Sequence, residues 1–283
     1  MIKKFLLATA AAGLATAANA ADLPRRAAPP PVFTPVPVFT WTGFYGGLES
    51  AYSFTDSQRV TTVGASAGNA ALLASGTRNG TARISNDGFA NIGGTAGYNY
   101  QFTPGSGIVV GIANSIDWTD TGKTRYGIGN TGAISYFRQG TDWLGTLTGR
   151  VGYGFDRVLV YGLGGLAYGN VFNDAQFFNA AGVRNYAGRY DDFTTGYAYG
   201  GGIEFALPTD SFLSNFAVGR YLGIKYDAIT VKAEYLHYDL GTRSIAVGPQ
   251  NAAAAAIGAG YISRFRNEGN IVRAGFNYKF GGF

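Results

Sequence analysis

Three groups of side chains in this sequence have types and spacings that suit chemistry. Gly162-Leu163-Gly164-Gly165-Leu166-Ala167 matches the dinucleotide fingerprint G-x-G-x-x-A and follows the strand-like Val158-Leu159-Val160. Such a loop binds pyrophosphate through backbone N–H groups and the N-terminus of a following helix. Here Ala167-Tyr168-Gly169-Asn170 comes next and opens a helix poorly. The glycines fit better as room-makers within a curved strand. His237, with Tyr235 and Tyr238 beside it, suggests haem ligation, since either residue type can hold haem iron. Its parity with Tyr235 near a strand end favours interfacial anchoring instead. As the sole histidine, it also leaves no Ser-His-Asp triad or multi-histidine zinc site. The third group is Glu49, Arg150, Glu204, Lys232, Glu234, Arg273 and Lys279. These charges either line a narrow ion path or pair into a plug. With no nucleophile–base pair and no metal set, neither enzymatic activity nor a cofactor is expected.

What positions those charges is a period of two. Eight segments alternate in hydropathy with Gly and aromatics, at about 42–54, 89–102, 108–118, 142–155, 158–170, 194–207, 229–240 and 269–282, the length of membrane strands. Trp143, Leu147, Val151, Tyr153 and Phe155 share one parity; Asp142, Thr146, Thr148 and Arg150 share the other. Val231, Ala233 and Tyr235 oppose Thr230, Lys232, Glu234 and Tyr238, while Val272, Ala274, Phe276, Tyr278 and Phe280 oppose Arg273, Asn277 and Lys279. Glu49 and Glu204 likewise oppose Leu48, Tyr52, Ile203 and Phe205. Because successive side chains point to opposite faces, the charges turn away from an apolar face. That face carries aromatics near the strand ends, as interface girdles do: Trp143, Tyr153, Phe155, Tyr235, Phe276, Tyr278 and Phe280. The segment 158–170 is apolar on both parities and has no evident facing.

The expected fold is therefore all-β, a transmembrane antiparallel up-and-down barrel of eight strands over 41–283. Tight connections at 103–107 and 156–157 alternate with long ones, rich in Gly, Asn, Thr and Ser, at 55–88, 119–141, 171–193 and 241–268. Short periplasmic turns and long outer loops are the asymmetry of outer-membrane barrels. Residues 208–228 break the alternation and leave a ten-strand count open. A soluble β-sandwich is the competing fold for short alternating strands. Eight strands leave an interior just wide enough for side chains to fill, which favours the paired plug; ten would favour the pore.

The N-terminus agrees with export. Lys3 and Lys4 precede an apolar stretch to Ala18, and Ala18-Asn19-Ala20 predicts signal cleavage between Ala20 and Ala21. The stretch is shorter than the roughly 20 residues of a membrane helix. Residues 21–40 hold six of the nine prolines and form an extended periplasmic linker. The chain carries 44 Gly, 19 Tyr and 20 Phe but only 14% charged residues, below the roughly 25% of soluble domains. It has no cysteine, which excludes disulfides and thiolate metal sites. Its net charge of +5 falls to +2 once the four cations and one acid before Trp41 are set aside. No Lys/Arg run follows, so nucleic acid is not an expected partner.

Asp142-Trp143-Leu144-Gly145-Thr146-Leu147-Thr148-Gly149-Arg150-Val151-Gly152-Tyr153, the run Val231 to Gly241, the run Asn270 to Phe280 and Trp41-Thr42-Gly43-Phe44-Tyr45-Gly46-Gly47 resemble the small outer-membrane β-barrel family of alphaproteobacteria. Members are labelled porin-like proteins, major surface antigens or hemin-binding proteins. The resemblance implies an eight-stranded barrel in the Gram-negative outer membrane, inserted by the barrel-assembly machinery, which commonly reads a C-terminal aromatic such as Phe283 or Phe280. Expected partners are outer-membrane lipid and lipopolysaccharide, with a host or environmental ligand at the loops. The expected role is structural and surface-exposed; a small-solute porin is the alternative, and a haem or host-ligand receptor the weaker one.

Overall fold

Eight antiparallel strands hydrogen-bond in a ring. They are β1 (Gly43–Phe54), β4 (Gly88–Gln101), β5 (Ser106–Thr119), β7 (Ile134–Phe155), β8 (Val158–Phe178), β9 (Arg184–Ala206), β10 (Ile229–Pro249) and β11 (Tyr261–Phe280). The ring closes where β1 pairs with β11, from Phe44 opposite Phe280 to Phe54 opposite Asn270. The computed structural model describes residues 38–55, 58–85, 87–119, 121–208 and 229–280. The expected signal, the linker up to residue 37, Phe283 and nearly all of the 208–228 connection lie outside the described residues.

All eight expected strands are present, but four of the expected loops are not loops. β7 starts at Ile134, β8 runs on to Phe178, β9 starts at Arg184, β10 runs to Pro249 and β11 starts at Tyr261. Three short strands join them: β2 (Gln58–Gly64), β3 (Thr81–Ile84) and β6 (Lys123–Ile128). β2 pairs with β11 and with β3, and β6 pairs with β7. β3 and β6 lie side by side without a ladder between them among the described residues. The barrel wall thus continues beyond the strand lengths that a bilayer requires. Helices α1 (Ala67–Ala74) and α2 (Ala252–Ile257) sit at this extended end.

At the opposite end two of the turns, β4–β5 and β7–β8, are short. Asp156, at φ +54°, and Arg157 join β7 to β8; such left-handed conformations match hairpin turns to strand twist. Phe39 and Trp41 fill the mouth here with Val109, Leu159, Tyr161 and Ala206. The Trp41 indole N–H donates to the Asp156 carbonyl at 3.0 Å, and its amide donates to Gln101 Oε1 at 2.7 Å.

Candidate functional site

Alternation along each strand leaves one face for the lumen, and in the lower half that face carries charge. Glu49, Arg150, Glu204, Lys232, Glu234 and Arg273 all point inward, together with Asp117 of β5. None of the seven is more than 6% exposed. Arg273 lies at the centre of one group. Its Nε and Nη2 contact Asp117 Oδ2 at 2.8 and 2.7 Å, its Nη1 donates to Thr146 Oγ1 at 3.0 Å, and Glu49 lies 3.8 Å away. Lys232 Nζ sits 2.6 Å from Glu49 and 3.4 Å from Glu234, which also accepts from the Tyr161 hydroxyl at 2.7 Å. Arg150 pairs with Glu204 at 3.2 Å and donates to Asn99 at 2.7 Å. Its guanidinium lies over the rings of Tyr45 and Tyr161, 4.7 and 4.8 Å from their centroids. Glu204 in turn accepts from Asn277 at 2.8 Å and from Thr230. Buried charges persist only with such partners.

Two glycines make the room. A Cβ at Gly93 would lie 2.3 Å from Asp117 Oδ1, and one at Gly202 would lie 2.8 Å from both Glu234 Cγ and the Tyr161 hydroxyl. Part of the glycine excess in the sequence is thus space for inward charges.

Above the charges comes a layer of Ala51, Leu144, Ala167, Val171, Leu236, Tyr238 and Ile271. A polar tier follows, in which Gln139 donates to Asn267 Oδ1 at 2.9 Å and Gln58 donates to the Glu268 carbonyl at 2.5 Å. The extended end then fills with Val60, Ile84, Phe137, Phe177, Tyr186, Ile245, Val247, Tyr261 and Phe265, all nearly or fully buried. Arg78 enters this core with its guanidinium 5.0, 5.8 and 5.6 Å from the ring centroids of Phe177, Tyr186 and Tyr261. Asn69 of α1 is fully buried; it donates to the Tyr186 hydroxyl at 3.0 Å and accepts from the Gly260 amide at 3.0 Å. The Tyr186 hydroxyl donates to the Ala254 carbonyl at 2.9 Å, and burial raises the pKa of the phenol. On the outside, hydrogen bonds from Asn170 and then Arg189 hold Asp191 below the usual carboxylate range.

The outer surface of the lower half is apolar between two aromatic girdles. Phe44, Tyr98, Tyr153, Phe155, Phe205, Tyr278 and Phe280 mark the short-turn side. Tyr52, Phe54, Trp118, Trp143, Tyr168, Phe193 and Tyr235 mark the other. Phe276, opposite Leu48 and Val231, lies within the band between them.

The structure brings six of the seven charges singled out in the sequence into one network. The seventh, Lys279, lies apart at the short-turn mouth, where it donates to the Thr40 carbonyl and sits 5.2 Å from the Phe39 ring centroid. Asp142, expected inward, is exposed: the ladder slips between Thr141 and Trp143, and Asp142 accepts from Asn170 at 2.9 Å. Asp117 was missed although the parity signal was there, since it stands between outward Ile116 and Trp118. β8 finds its facing, with Leu159, Tyr161 and Ala167 inward and Val160 and Leu166 outward. In that strand Gly162, Gly164 and Gly165 lie mid-ladder, not at a helix entrance. His237 bonds Asn270 Oδ1 at 3.1 Å and packs 5.3 Å from the Tyr199 ring, on the outer face. Among the described residues no group of three or more His, Cys, Asp or Glu is placed to hold a metal ion.

No protein-family model matches the chain. It is 29% identical to the 31 kDa outer-membrane immunogenic protein of Brucella melitensis over 99% of its own length and 100% of that protein. The Brucella suis protein matches to the same extent. Among solved structures, the outer membrane protein OprG from Pseudomonas aeruginosa aligns with a TM-score of 0.43 at 14% identity, covering 85% of this chain and 97% of that one. The outer membrane protease OmpT from Escherichia coli aligns at 0.36 and 11%, covering 87% and 99%. Likenesses this distant add nothing to the fold read from the ladders themselves. A closed ring of eight strands, an apolar outer band between girdles and full-length alphaproteobacterial relatives together make this chain a surface-exposed β-barrel of the Gram-negative outer membrane.

Proposed function

We propose that the protein is a closed barrel whose role is structural and surface-displaying: it holds a rigid extended end outside the cell and conducts no solute in its resting form. The charged layer carries this reading. Its seven groups are consumed by mutual pairing rather than presented to a water column, and a packed apolar core stands above them. The name of the Brucella relatives suits a chain whose extended end meets the outside. Cleavage between Ala20 and Ala21, a periplasmic linker and insertion by the barrel-assembly machinery belong to the same proposal, as does recognition of a host or environmental ligand at the extended end. The reading assigns no catalytic role, because each of the four carboxylates contacts at least one of the three cations and the whole cluster is buried. Planar bilayers containing the refolded protein should show no sustained nanosiemens-scale steps, which need the open lumen of larger barrels. Stable steps of that size at neutral pH would transfer the assignment to a porin.

A further inference from the structure

Well above the outer girdle, one flank of the barrel carries arginines that have no carboxylate partner among the described residues. Arg59 of β2 lies directly opposite Arg83 of β3. On the other side, Thr61 of β2 lies opposite Arg264 of β11, which itself faces Ser244 of β10. Arg59, Thr61, Thr81, Arg83, Ser244 and Arg264 are all exposed, and cross-strand registry places them on one outward face. Among the described residues, no carboxylate lies within ion-pair distance of these three arginines. Elsewhere on the extended wall two arginines have carboxylate partners, Arg189 with Asp191, and Arg266 with Glu268 at 2.5 Å and Asp239 at 3.8 Å; Arg125 and Arg184 are exposed without one among the described residues, but neither stands opposite another arginine in a ladder. Like charges directly opposite across a ladder are destabilising, so an anion bound between Arg59 and Arg83 would relieve the pair.

The height of the patch selects the anion. Arg264 lies six residues beyond Asn270, the partner of Phe54 at the girdle. Six residues of strand rise about 20 Å, or ~15 Å above the girdle at the usual barrel tilt. The patch faces sideways, along the membrane plane, where the groups at that height are lipid headgroups rather than approaching proteins. Guanidinium forks match phosphate oxygens, and the flanking Thr and Ser hydroxyls suit sugar. We infer that Arg59, Arg83 and Arg264 form a binding site for the phosphorylated saccharide headgroup of lipopolysaccharide in the outer leaflet, an inference resting on the outward orientation of the extended end but not on a closed lumen.

The test compares the folded wild-type barrel with R59Q/R83Q/R264Q in detergent, each titrated with purified lipopolysaccharide and with the same lipid after enzymatic dephosphorylation. At low salt the triple variant should bind intact lipopolysaccharide at least about tenfold more weakly, as expected for lost charge-assisted contacts. High salt should narrow the difference. Wild type should bind the dephosphorylated lipid no better than the variant binds the intact one, and R189Q should bind like wild type. Undiminished binding by the triple variant, equal binding of the two lipids, or complete competition by inorganic phosphate would overturn the site. Heat-modifiable gel mobility reports folding; if the triple variant fails that check, R83Q alone must still weaken binding several-fold, since each lost contact counts. Orientation is tested separately: the chain has no cysteine, so A181C, in the β8–β9 loop, should react with an impermeant thiol reagent on intact cells.

Discussion

Halfway along β11 the two faces of one strand exchange character. From Val272 to Phe280 the inward residues are Arg273, Asn277 and Lys279, and the outward ones are Val272, Phe276 and Phe280. From Tyr261 to Glu268 the inward residues include Tyr261 and Phe265, while Arg264 and Arg266 face out. β7 does the same, with Arg150 inward below and Phe137 inward above. The lower half obeys lipid, which demands an apolar exterior and leaves the charged side chains of Glu49, Arg150, Glu204, Lys232, Glu234 and Arg273 only the lumen face. The upper half obeys water and is built like a soluble barrel, apolar inside. One continuous ladder therefore holds two interiors, one electrostatic and one apolar.

Removing one member of the charged layer should have the largest effect. Arg273→Ala leaves Asp117 without its guanidinium, and loss of one partner of a buried pair costs about 3–5 kcal/mol, measurable by urea unfolding in lipid. The double variant Asp117→Leu/Arg273→Met should recover most of it, as apolar replacements of a buried pair do. A loss under ~1 kcal/mol for the single variant would mean a hydrated layer and would erase the contrast. In the upper half, Phe265→Ala, beside Phe137 at 6.4 Å between centroids, should cost about 3 kcal/mol or somewhat more through its cavity. Limited proteolysis should then cut the extended end while heat-modifiable mobility of the embedded barrel persists. Simultaneous loss of both would show that the halves are a single cooperative unit. The smallest effect is expected from Arg78→Met, which keeps volume but removes the cation among three rings, worth up to ~2 kcal/mol when desolvated. Hydrogen exchange of α1 should rise with little change elsewhere.

The lower half was legible because a single alternation carried both fold and site: Lys232, Glu234 and Arg273 each stand between outward apolar neighbours. The upper half was not, because its polarity is reversed. Read with the lower parity, Arg264 and Arg266 look misplaced, and the Gly-, Asn- and Thr-rich runs around them look like loops. Treating 261–268 as a strand in its own right would have shown Tyr261 and Phe265 on one face and three charges on the other. Asp142 misled for another reason, since a slipped ladder cannot be seen in a pattern that assumes unbroken pairing. Lys279 has the right parity but the wrong height, and parity carries no information about height.

The layered charges also bear on how the ring comes to be closed. Glu49 belongs to the first strand of the ring; its cations, Lys232 and Arg273, belong to the last two. In an open sheet these groups stand at opposite margins, and contacts so distant in sequence form late because the intervening chain must be gathered first. Neutralising Glu49 and sealing β1 against β11 are consequently one event. A sheet that stops short, or that joins in a shifted register, leaves Glu49 on one margin without Lys232 and Arg273, which remain on the other beside Glu234. The charges then act as a check on completion, favouring the finished cylinder over every partial assembly.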